Sequence, residues 1–79
     1  MKHINEYVFD LLDIARQHKT EGNLSGSAEL CYRDALRFVG NMDYESAVKR
    51  GLESLIFSIG MAHPHYKQAV EIIKSGGIA

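Results

Sequence analysis

Tryptophan is missing from this 79-residue chain, proline and cysteine occur once each, and neither sign of charge prevails, with 9 Lys and Arg against 10 Asp and Glu. Each shortage excludes something. The single cysteine, Cys31, rules out an internal disulfide and leaves a thiol suited to a reducing compartment. A formal net charge of -1 supplies no long-range field that would gather nucleic acid or an anionic membrane. The longest apolar-dominated run, residues 55–62, is far shorter than the ~20 residues that cross a bilayer, and the opening MKHINEYVFD holds no apolar core of a secretory leader. A cytoplasmic location without membrane contact is therefore expected. There is no G-x-S-x-G, no Walker loop and no dinucleotide glycine pattern, so neither an enzyme, a cofactor nor a small-molecule substrate is expected.

What is present is an aliphatic supply of globular type, 46% apolar and 24% charged. A chain of this length makes one domain, residues 1–79, burying roughly 60% of its unfolded surface around a thin core. Ile4, Val8, Leu11, Leu12, Ala15 and His18 recur at helical spacing, opposite Glu6, Asp10, Asp13 and Gln17, which predicts a helix over 4–20. Gly22 offers a left-handed stop, and Asn23 and Ser25 offer caps for the next helix. That second helix, over 25–39, turns Ala28, Cys31, Tyr32, Ala35 and Phe38 or Val39 inward. Asn41 or Asp43 caps a third over 43–61, with Tyr44, Val48, Gly51, Leu52, Leu55 and Ile59 inward. Pro64 cannot continue that helix but suits the first turn of a fourth, 64–75, which buries Tyr66, Ala69, Val70 and Ile73. The expectation is an all-α domain of four helices in two antiparallel hairpins.

A segment recurs. Cys31 to Val39, CYRDALRFV, returns 34 residues later as His65 to Ile73, HYKQAVEII, pairing Tyr32 with Tyr66, Arg33 with Lys67 and Ala35 with Ala69. Together with Leu11-x2-Ile14-Ala15-x2-His18, Ala28-x3-Tyr32-x2-Ala35 and Ala62-x3-Tyr66-x2-Ala69, this resembles the tetratricopeptide repeat over residues 8–40 and 62–73. Leu11 and His18 stand where that family carries aromatics, and Gly40 where it carries proline. The rhythm is also similar to the microtubule-interacting and trafficking domain. Repeats of the first kind work through arrays, and one and a half units cannot build a long concave groove. The resemblance thus implies a chain that caps a partner's surface or dimerises.

Three constellations are candidates for chemistry or binding. His63 and His65 flank Pro64, and His18 and Cys31 could approach each other across the first hairpin. Histidines at i, i+2 on a helix start converge poorly, so no metal is expected, and Cys31 reads as a small buried side chain. Arg33, Arg37 and Lys67, with Lys49, Arg50 and Lys74, would form a basic outer face if the two hairpins stack. That face is the alternative reading, a small nucleic-acid-binding regulator, although Glu29, Asp34, Glu45, Glu53 and Glu71 interrupt it. The third signal is apolar residues that the helical wheel leaves outside: Phe9, Phe57 and Met61. They point to a small adaptor or inhibitor that meets a protein partner, or a second copy of itself, through an apolar helix face.

Overall fold

The computed structural model describes residues 3–77, so both ends of the expected 1–79 domain lie outside the described residues. Four helices succeed one another: α1 (Ile4–Thr20), α2 (Ser27–Gly40), α3 (Tyr44–Ser58) and α4 (Pro64–Gly76). The described residues contain no strand. Short connections turn each helix back along its predecessor, giving the expected all-α bundle of antiparallel hairpins.

Local chemistry sets the boundaries. The Glu6 carboxylate accepts from the His3 backbone N–H at 3.0 Å and secures the first turn of α1. Asp43 accepts from Ser46 N–H at 3.2 Å and starts α3, as its position predicts. His63 Nδ1 accepts from the His65 N–H at 3.0 Å, with Pro64 opening α4 behind it. α2 begins later than expected. Neither Asn23 nor Ser25 caps it with a side chain: Gly26 holds the N-cap position, and Asn23 is drawn to His18 instead. α3 also ends early, at Ser58 rather than 61. Gly60, which the apolar run 55–62 made look helical, sits at φ +86° and closes the helix by donating to the Leu55 and Ile56 carbonyls. Met61 therefore lies in the α3–α4 turn, not on α3.

α1 and α3 form the middle of the bundle, and α2 and α4 flank it. α2 packs chiefly on α3 and α4 chiefly on α1; α2 and α4 do not approach each other. The two Tyr-Ala helices thus do not lie side by side, and their positions are not equivalent: Tyr32 is buried, Tyr66 only half-buried. Val8, Leu11 and Leu55 are wholly enclosed, together with Ala15, Ala28, Ala35, Ala47 and Ala69. Burying each large aliphatic side chain contributes about 1.5–3 kcal/mol, and the alanines let the helix axes approach. Ile4, expected inward, is exposed at the helix end, whereas Ala47 and Ser54, outside the expected inward stripe, are buried. Ser54 tolerates burial because its Oγ donates to the Ala28 carbonyl at 2.7 Å, tying α3 to the first turn of α2.

α4 is held to α1 at both ends. Near its C-terminus Gly76 lies so close to the Tyr7 ring that a Cβ built there would stand 2.8 Å from Tyr7 Cγ. At its N-terminus His65 meets His18. α3 and α4 touch far more sparingly, and that difference leaves a surface feature between them.

Candidate functional site

The sparse α3–α4 contact opens a groove of about 350 Å³. Val48 and Leu52 from α3, and Tyr66, Val70 and Ile73 from α4, make its largely aliphatic lining; Glu45, Lys49 and Lys74 also line it and are exposed. Helical spacing explains the assembly. Glu45, Val48, Lys49 and Leu52 share one stripe of α3, and Tyr66, Val70, Ile73 and Lys74 share one stripe of α4. Sequence reasoning turned all five of these apolar residues inward and missed the groove. The same stripe that predicts burial also lines a groove when the facing helix is fixed to a third element.

The three expected partner-binding residues are all exposed, but they are not one patch. Phe57 is 59% and Met61 61% exposed at the α3 end of the bundle, and Phe57 continues the polar row formed by Arg50 and Glu53, which pair at 3.2 Å. Phe9 is 47% exposed on α1. α1 and α3 run in the same direction, since Leu11 and Leu12 flank Gly51 and the end of α1 meets His63. At about 1.5 Å per residue, Phe9 and Phe57 are then about 12 Å apart along that direction. Leu30, Leu36 and Met42 are exposed as well, and the sequence pattern did not single them out.

The basic candidates are separated. Arg33 and Arg37 lie on α2, Lys67 on α4, and these helices flank opposite sides of the bundle. Arg33 pairs with Glu29 at 3.2 Å and Arg37 with Asp34 at 3.4 Å, each within its own helix. The continuous stripe that depended on stacked hairpins is not formed.

A histidine cluster closes one end of the fold. His18, 3% exposed, has both ring nitrogens engaged: its Nδ1 accepts from Asn23 Nδ2 at 2.9 Å and its Nε2 meets His65 Nδ1 at 2.8 Å. His63 packs edge-on against His18, with ring centroids 5.7 Å apart, and 4.8 Å from His65. Burial first, then the neighbouring His65 imidazole, holds the His18 pKa below its ordinary value; Glu21 opposes this and His63 adds to it. With its nitrogens so committed, His18 has none free for a cation, and among the described residues no group of three His, Cys, Asp or Glu is arranged to hold a metal ion. The expected approach of His18 to Cys31 does not occur; His18 turns to Asn23 and His65. Cys31 is buried, and burial, then Glu53, push its thiol pKa up, with Arg50 partly offsetting.

No protein-family model, curated protein or solved structure matches the chain. Among the described residues no helix is long and apolar enough to cross a membrane.

Proposed function

We propose that this protein is a small interaction module, an adaptor or inhibitor, that docks a helix or loop of a protein partner onto its apolar surface. The observation that carries the reading is the α3–α4 groove, whose aliphatic lining is left open by a helix fastened to α1 at both ends. An apolar side chain from a partner helix fits such a groove, and exposed Glu45, Lys49 and Lys74 give polar edges to orient it. The cytoplasm is the proposed location, where the thiol of Cys31 stays reduced. Phe57 and Met61 are proposed as a second contact, through which two copies associate.

The test uses affinity-tagged protein recovered from its host at matched levels as wild type, Val70→Glu and Phe57→Ser. Val70 is half-buried, so a charge there spoils the groove without filling the core. Val70→Glu is expected to lose a stoichiometric partner that wild type retains, while Phe57→Ser lowers self-association in sedimentation equilibrium. If wild type stays monomeric and brings down nothing that Val70→Glu loses, the reading fails. The nucleic-acid alternative has no comparable support, because Arg33 and Arg37 sit on one flank and Lys67 on the other.

A further inference from the structure

Hydrogen bonds link the three histidines of the cluster in a chain. Asn23 Nδ2–H donates to His18 Nδ1, which leaves His18 Nε2–H to donate to His65 Nδ1, while the His65 backbone N–H donates to His63 Nδ1. Each ring thus accepts at one nitrogen. A proton added to that nitrogen sets two donors against each other. We propose that His18, His63 and His65 form an acid-sensitive latch that fastens the start of α4 to the end of α1 through the bond from His18 Nε2–H to His65 Nδ1, and that proton uptake by the cluster releases it.

The setting favours a neutral His18. His18 is buried at 3% exposure, so its charged form loses hydration. The His65 and His63 rings, with centroids 5.0 and 5.7 Å from that of His18, both oppose its charging. The titratable groups that act on the His18 charge are His65 in the first turn of α4, His63 at its N-cap and Glu21 at the C-cap of α1. Glu21 alone favours the imidazolium, and it is outweighed. Tyr66 directly succeeds His65 and lines the groove, so release of this end of α4 changes the groove wall. That consequence for partner binding rests on the proposed function; the latch itself does not.

Amide exchange monitored by NMR between pH 7.5 and 5.5, corrected for the intrinsic pH dependence, reads the latch without any partner. In wild type the amides over 66–69 are expected to lose protection about tenfold or more on acidification, while the middle of α3 keeps its own. His65→Asn retains an acceptor oxygen where Nδ1 stood but cannot be protonated there, and is expected to keep α4 protected at pH 5.5. Should that variant fold poorly, ring-proton titration of wild type decides: His18 must remain neutral to lower pH than a histidine in an unfolded peptide. Uniform loss of protection across all four helices, no loss at 66–69, or ordinary titration of His18 overturns the proposal. A protected groove wall at pH 5.5 with partner capture intact refutes the latch and leaves the interaction reading standing; an acid-labile α4 with no partner captured does the reverse.

Discussion

Replacing Gly76 with alanine is expected to destabilise the fold by about 1–2 kcal/mol, although alanine ordinarily improves a helix. Gly76 is the last residue of α4. Its added Cβ would stand 2.8 Å from Tyr7 Cγ and 3.0 Å from Tyr7 Cβ, where apolar carbons prefer about 3.5–4.0 Å. Tyr7 Cβ is fixed to the α1 backbone, so a rotamer change moves Cγ but leaves the 3.0 Å contact in place. Overpacking of this kind costs about 1–3 kcal/mol, against a helix-propensity gain of about 0.5–1 kcal/mol for glycine to alanine. The internal control is Gly40→Ala at the end of α2, where a Cβ meets nothing within 4 Å. Thermal unfolding monitored by circular dichroism compares the two. Gly40→Ala should be neutral or stabilising, and Gly76→Ala should lower the midpoint temperature by roughly 4–16 °C for a domain of this size. Equal stabilities for the two variants would refute the close approach of α4 to Tyr7, and with it one of the two fastenings that leave the groove open.

Ser54→Ala removes the buried bond to the Ala28 carbonyl, which still accepts within α2, so the loss is that of one net hydrogen bond, about 0.5–1 kcal/mol after alanine's better helix propensity. An unchanged urea midpoint would show that this α2–α3 tie does not exist. Met42, exposed and at φ +60°, sits in a conformation that costs an L-residue about 1–2 kcal/mol and that asparagine adopts more readily. Met42→Asn should therefore raise stability by about 0.5–1 kcal/mol, and a loss would contradict that turn. Stability should also depend on pH. The His18 pKa is depressed in the fold, so below about 6.5 the unfolded chain binds more protons than the native one. The stabilisation is complete above that pH and is progressively lost as pH falls from there through the folded value. Urea midpoints at pH 7.5 and 5.5 check the sign, and a higher midpoint at 5.5 would reverse it.

The periodicity of α1 and the inward stripe of α2 were readable from the sequence because burial there obeys a single helix's own spacing. Asp43, Pro64 and the turn at Gly22 were readable for a similar reason: capping is decided within a few residues. What escaped was set by tertiary geometry. The end of α3 was overrun because Ile59, Met61 and Ala62 continue an apolar run through Gly60, and only the backbone turn there stops the helix. The 34-residue recurrence suggested two equivalent helices in contact, yet α2 found α3 and α4 found α1, so the basic residues parted. His18 was legible as inward but not as the partner of His65, which lies 47 residues away with no local signal linking them. The groove was hidden because lining a groove and filling a core need the same residues.

Site-specific crosslinking tests the central claim most directly. A photoreactive phenylalanine analogue placed at position 70, on the groove wall, and in parallel at position 33, on the outer face of α2, is irradiated in the host cell. The proposed role predicts a discrete heavier species from position 70 and none from position 33. No adduct from position 70, or the same diffuse adducts from both, would mean that the groove receives no partner.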